Sequence, residues 1–205
     1  GKILFTLAIL ALYRFIAHIS IPGIDPDQVA DLVNNNQLLG FLDLFSGGAF
    51  RRMSIVALGV FPYITASIVI QLLTPVIPSL QELAREGESG RAKMNRMVHG
   101  LTVPIALAQG YGQLLLLQQS NILGPVGFTG DALLPTMAAL LSIVAGTMFL
   151  VWLGEMITER GIGNGISLII FAGIVAGFPG LLSQGFVSRD DLLGVVFFAS
   201  IGVLI

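Results

Sequence analysis

The run LLPTMAALLSIVAGTMFLVWL, residues 133–153, carries no charged side chain. Coiled as an α-helix at ~1.5 Å per residue, it extends about 30 Å, the thickness of a bilayer's hydrocarbon core. Residues 3–21, 54–76, 98–118 and 166–182 form four more apolar stretches of similar length, and a sixth, 192–205, runs to the last residue. A helix pairs its own backbone N–H and C=O groups, which lipid demands of anything that spans it. Of the 205 residues 55% are hydrophobic and only 11% charged, with mean hydropathy +0.89. Soluble domains carry about 25% charged residues, so this chain has too little polar surface to dissolve. The expected fold class is an all-α membrane protein, a polytopic helical bundle. The chain opens on Gly1 and stops at Ile205 within an apolar run, so it reads as an excerpt of a longer polypeptide. The first stretch lacks a small-residue cleavage site and is followed by further apolar segments, which favours a membrane helix over a signal peptide.

Several chemistries lose their footing at once. Without cysteine there is no disulfide framework, thiolate metal site or Cys nucleophile. His18 and His99 are isolated, so no metal and no cofactor is expected. A net charge of −2 gives no basic footprint for nucleic acid. The Lys/Arg distribution instead sets orientation. Lys2, Arg85, Arg91, Lys93, Arg96 and Arg160 fall on one side, and Arg51, Arg52 and Arg189 on the other. The richer side is expected to be cytosolic, with the N-terminus inside. Arg14 is the one formal charge within the apolar stretches and is expected to face protein or snorkel to a headgroup.

The outer loop, 22–53, opens with turn chemistry at Pro22-Gly23 and Asp25-Pro26 and a polar run, Asn34-Asn35-Asn36. It then becomes apolar, from Leu38 and Leu39 through Gly40, Phe41, Leu42, Asp43, Leu44 and Phe45 to Ser46, Gly47 and Gly48. An eight-residue helix reaches only ~12 Å, too short to span. Either a re-entrant helix surrounded by protein or a helix at the lipid interface accommodates it, and periodicity leaves both open.

Other motifs are weaker. Gly87-Glu88-Ser89-Gly90 fits the G-x-S-G of intramembrane serine proteases, but Ser89 lies among charges with no histidine in a later span. Gly161-Ile162-Gly163-Asn164-Gly165 is glycine-rich like a phosphate loop, yet it joins two membrane helices and lacks the G-K-[ST] ending; a tight turn suits it better. Pro62 and Pro104 are expected to kink the second and third spans. Gly165, Gly173, Gly177 and Gly180 invite close helix packing along the fifth.

Longer words of the sequence carry a family resemblance. Phe45-Ser46-Gly47-Gly48-Ala49, then Ala57-Leu58-Gly59-Val60-Phe61-Pro62-Tyr63-Ile64-Thr65-Ala66-Ser67-Ile68, resemble the plug and second helix of the SecY family of protein-conducting channels. Glu86-Gly87-Glu88-Ser89-Gly90-Arg91 resembles that family's loop between helices two and three. Gly146-Thr147-Met148-Phe149-Leu150-Val151-Trp152-Leu153-Gly154-Glu155 and Ile157-Thr158-Glu159-Arg160-Gly161-Ile162-Gly163-Asn164-Gly165-Ile166-Ser167 resemble helix four and the start of helix five. The likeness runs through residues 1–182, and its wording is bacterial.

The resemblance implies half of a ten-helix inverted-repeat channel. The layout is then helix one at 1–21; an outer loop, 22–53, with a plug at about 38–52; helix two at 54–78; a cytosolic basic loop at 79–97; helix three at 98–118; helix four at 133–153; a cytosolic turn at 154–165; helix five at 166–182; and a truncated helix six at 192–205. It implies the re-entrant reading of the apolar loop segment, with plug residues Leu39, Phe41, Leu42, Leu44, Phe45, Ser46, Gly47 and Gly48. It implies a pore ring receiving Val60, Ile64, Ile166 and Ile170, each pair spaced i, i+4 on one helix face. The lateral gate would use Thr65, Ile68 and Val69. The function implied is passage of unfolded secretory polypeptides across the bacterial plasma membrane and sideways release of membrane segments into the lipid bilayer, without catalysis. Implied partners are the small subunits SecE and SecG, the motor ATPase SecA, the ribosome with its nascent chain, and signal peptides. No nucleic-acid binding is implied beyond ribosomal RNA contact. Arg85, Arg91, Lys93 and Arg96 are either a contact for a cytosolic partner or a plain positive-inside anchor. The alternative is a secondary transporter of small solutes, for which Arg14, Gln71 and Gln109 are the candidate polar groups.

Overall fold

The computed structural model describes residues 1–21 and 23–187. The expected helix six, 192–205, lies outside them. The described residues form helices α1 (Lys2–Ile16), α2 (Pro26–Asn35), α3 (Gln37–Phe45), α4 (Phe61–Leu73), α5 (Pro78–Arg85), α6 (Glu88–Gln119), α7 (Leu133–Arg160) and α8 (Gly165–Val187).

The longest uncharged run makes the central pillar. Along α7, Ala139, Ile143, Gly146, Leu150, Leu153 and Ile157 are buried at helical spacing, so one stripe of the helix faces its neighbours. α6 packs beside it, with Gly110 against the Ile143 and Leu140 side chains. Pro104 lies in mid-helix, because α6 begins at Glu88 and runs for 32 residues. The expected basic loop, 79–97, is therefore mostly helical. Its charged residues are competent helix formers, and Gly87, at φ 72, turns the chain between α5 and α6.

The first two apolar stretches depart most from expectation. α1 stops at Ile16, and Ser20 forms an antiparallel bridge with Ser54. The Ile21 N–H donates to the Met53 carbonyl (2.9 Å) and the Ile55 N–H to the Ile19 carbonyl (3.0 Å). Ser54 Oγ donates to the Ile16 carbonyl (3.1 Å), taking up one of the acceptors left free at a helix end. This crosslink commits residues 54–60 to turns, and α4 starts only at Phe61. Pro62 then sits in the first turn, where its missing N–H costs nothing; it starts α4 instead of kinking it. α4 and α5 are separated by a bend of 101°. Among the described residues, Glu88–Gln119 and Gly130–Arg160 are each long and apolar enough to cross a membrane, and the bent α4–α5 pair makes a third if counted as one span.

The outer loop is folded. Asp25 caps α2, accepting from the Asp27 N–H at 3.0 Å, with Pro26 in the first turn. Val29 and Val33, one helical turn apart, are buried from α2 and join Leu39, Phe50 and Met53 in a cluster that reaches α6 and α7. A second apolar cluster gathers residues of α1, α7 and α8 around the start of α4.

Candidate functional site

Of the residues singled out by sequence, those of the turn after α3 and the four aliphatic positions gather around α1, α7, α8 and the start of α4. Helix α3 spans Gln37–Phe45 and is ended by Gly47 and Gly48, at φ 69 and φ 81, a backbone region that favours glycine. The Gly48 N–H donates back to the Asp43 carbonyl at 2.9 Å, closing the helix terminus. Ser46 Oγ donates to the Asp43 carbonyl (3.0 Å) and accepts from the Phe50 N–H (3.0 Å). The Asp43 carboxylate accepts from the Arg51 N–H at 2.7 Å and lies 3.2 Å from the Arg51 guanidinium. Burial pushes the Asp43 carboxyl above its ordinary range, although the Arg51 backbone N–H and charge pull the other way. The segment after α3 is thus a compact, internally bonded turn. Leu39 is buried, Leu44 half-buried and Phe41 exposed.

Helix α8 approaches this turn through its glycines. A methyl added at Gly47 would sit 2.7 Å from Gly173 Cα and 2.8 Å from the Tyr13 hydroxyl, and one at Gly177 would sit 3.1 Å from Leu44. Close approach between backbones is the use that small residues serve in membrane bundles. Beside the junction lies a cavity of about 240 Å³ lined by Arg14, His18, Asp43, Arg51 and Arg52 among others.

The four aliphatic residues of the expected ring fall in one place. Val60 is buried, 3% exposed, in the cluster that also takes Ala49 from the turn after α3; Ile64, Ile166 and Ile170 pack against that cluster, partly buried. A methyl at Gly154 of α7 would meet Ile166 Cδ1 at 2.5 Å, so Ile166 is engaged with α7. On α4, Pro62, Ala66 and Ile70 are buried while Thr65 and Ile68 are exposed and Val69 is half-buried. Thr65 Oγ1 donates to its own helix at Phe61 (3.0 Å), which removes its polarity from the exposed face.

Polar candidates for other chemistries are spoken for locally. Ser89 Oγ turns back to the Glu86 carbonyl at 3.4 Å. In the glycine-rich turn, the Asn164 side chain accepts from the Ser167 N–H (3.1 Å) and Thr158 Oγ1 from the Gly165 N–H (2.9 Å), capping α8. Gln71 donates to Ser67 Oγ on the same helix (3.0 Å). Arg85, Arg91, Lys93 and Arg96 are exposed, with Lys93 paired to Glu86 at 2.9 Å.

Sequence reasoning singled out Arg14 without its partner and missed Tyr13 and a second set of residues. Tyr13 has a hydroxyl that donates to the Ser46 carbonyl (3.3 Å), and Arg14 Nη1 donates to the Gly47 carbonyl; the lone charge of Arg14 was the available signal. The second set ties α4, α6 and α7 together: Asn95 donates to Glu155 (2.8 Å), Tyr63 to Asn95 (3.2 Å), and His99 Nε2 lies 3.2 Å from Glu155. Nothing in the spacing of these residues announces their meeting.

A family model described as SecY matches residues 54–205. The protein translocase subunit SecY of Pseudomonas aeruginosa is 44% identical over 207 residues, covering 100% of this chain and 46% of its own length. SecY of Escherichia coli strain K12 is 47% identical, covering 87% of this chain and 40% of its own. SecY of Aquifex aeolicus is 46% identical, with 89% and 44% covered. The chain therefore spans about half the length of the curated relatives it matches. Among solved structures, Sec61 in the canine ribosome-channel complex from the endoplasmic reticulum superposes with TM-score 0.58 at 22% identity, covering 84% of this chain and 35% of that one. A second, described as the structure of a protein conducting channel, gives the same values. At this identity the likeness concerns the fold.

Proposed function

The chain belongs to the SecY family, and on that premise we propose that it is the N-terminal half of a channel that passes unfolded polypeptides through a bacterial plasma membrane and releases membrane segments sideways. The observation that carries this reading is the apolar cluster that Val60 shares with Ala49 from the turn after α3, and against which Ile64, Ile166 and Ile170 pack. A conduit for many sequences must grip none of them and leak few ions. Aliphatic walls satisfy both needs: a narrow apolar constriction dewets when empty and offers no charge for an ion or side chain to bind. In this reading Val60, Ile64, Ile166 and Ile170 supply half of the collar, with Ile166 also against Gly154 of α7. Helix α3 is the plug, seated on α8 through Gly47 and Gly177.

The exposed face of α4 at Thr65, Ile68 and Val69 serves as one lip of a lateral gate. A greasy signal helix reaching it exchanges pore for lipid, and burial of its apolar surface, about 25 cal/mol per Å², drives the exchange. The channel itself catalyses nothing. The work comes from partners, the ribosome or SecA, with SecE and SecG alongside, and the exposed basic residues of α5 and α6 face the cytosol with the N-terminus. Ile64→Asn combined with Ile170→Asn in the complete channel is expected to raise resting ion leak across a lipid bilayer, while Ile64→Leu keeps the seal. A double variant as tight as wild type would remove the collar from these residues.

A further inference from the structure

Arg14 carries a full charge within an apolar helix, and its placement has a physical consequence. α3 ends at Phe45, and in the turn that follows the Ser46 carbonyl accepts a long bond from the Ala49 N–H (3.4 Å), which leaves it and the Gly47 carbonyl, near the negative end of the helix dipole, open to further donors. Two consecutive residues of α1 supply them: Tyr13 Oη donates to the Ser46 carbonyl at 3.3 Å, and Arg14 Nη1 donates to the Gly47 carbonyl. Tyr13 is 4% exposed and Ser46 3%. Hydrogen bonds are strongest where water is scarce, and a charge stripped of its partner there is costly.

We propose that Tyr13 and Arg14 form a latch that holds the C-terminal end of the plug helix in its seat. The proposal rests on the plug reading above. Releasing the plug strands the buried Tyr13 hydroxyl and, on the side of the cavity, parts the Arg14 guanidinium from the Gly47 carbonyl, while the Ser46 carbonyl keeps the Ala49 N–H. Once water enters, the hydroxyl, the guanidinium and the Gly47 carbonyl are solvated and the latch loses its hold. Plug release is thereby coupled to wetting of the channel, so that an arriving chain which carries water inward loosens the seal. Both residues are positioning residues; neither has to touch the passing chain.

The test uses the complete channel in planar bilayers, with Ser46→Cys, in a background otherwise free of cysteine, as a reporter for a membrane-impermeant thiol reagent. Arg14→Met and Tyr13→Phe are each expected to raise resting open probability about tenfold or more, the scale on which a charged or buried hydrogen bond matters, and to speed Ser46→Cys labelling. Arg14→Lys, which keeps the charge, restores most of the seal. Should Arg14→Met fail to insert, Tyr13→Phe decides, since it removes one hydroxyl. Deletion of residues 38–45 serves as the reference arm. If the deletion leaks and labelling and conductance in Tyr13→Phe and Arg14→Met stay at wild-type levels, the latch is overturned and the plug stands. If the deletion itself does not leak, the plug reading falls and takes the latch with it.

Discussion

Gly47→Ala and Gly48→Ala, introduced separately into the complete channel, separate backbone strain from contact at the plug seat. Both glycines have positive φ, 69° and 81°, so either alanine costs about 1–2 kcal/mol for a left-handed conformation. Only Gly47 adds a collision: its methyl would sit 2.7 Å from Gly173 Cα, whereas at Gly48 nothing lies within 4 Å. A backbone atom cannot swing aside as a side chain can, so the plug and α8 must separate. Overpacking of this kind costs roughly 1–3 kcal/mol, which corresponds to about 5- to 150-fold in the docking equilibrium. Single-channel recordings in planar bilayers, scored for resting open probability, should therefore rank Gly47→Ala well above Gly48→Ala, and Gly48→Ala slightly above wild type. A Gly48→Ala channel as leaky as Gly47→Ala, or leakier, would refute the seating of the plug on α8.

Further expectations concern other contacts of the same framework. A methyl at Gly165 would lie 1.8 Å from the Gly154 carbonyl, so Gly165→Ala should lower the thermal midpoint of the detergent-solubilised channel by more than any exposed Gly→Ala, such as Gly163→Ala, does. Asp43 has a carboxyl raised by burial, so the fold favours its protonated form. Its contribution to stability grows as pH falls through the raised value and levels off below the ordinary value near ~3.9. Asp43→Asn should erase that component from a midpoint-versus-pH series, and a wild-type component of opposite sign would contradict the assignment. A cysteine at Thr65 should crosslink to a signal peptide during insertion; absence of product at Thr65, Ile68 and Val69 alike removes the gate from α4.

How much of this was legible depended on whether the determining physics was local. The α7 pillar could be read at once, because a long uncharged run has a single stable arrangement in lipid. The clustering of Val60, Ile64, Ile166 and Ile170 was reachable through the family's words, not through periodicity. The α1 and α4 ends were not legible, since they are set by the pairing of Ser20 with Ser54, residues far apart in sequence. The same pairing turned Pro62 from an expected kink into a helix start. Helix α2 was hidden because Asn34-Asn35 at its end reads as a loop, while its two buried valines are too few to mark a period. Arg14 announced that something must meet it; only the folded chain identifies the Gly47 carbonyl. For Ile166 the i, i+4 spacing grouped it with Ile170, and both pack against the same cluster; its neighbour Gly154 on α7 was not legible.

Crosslinking from Ile64 to a polypeptide arrested partway through the complete channel tests the central claim most directly. With cysteine at Ile64 and a single cysteine in the arrested chain, the account predicts that an added thiol oxidant gives a disulfide adduct when that residue lies at mid-membrane, and none when the chain is released before the oxidant is added. Adduct formation from the outward face of α1, for instance Leu4→Cys, which is 72% exposed, with none from Ile64 would contradict it.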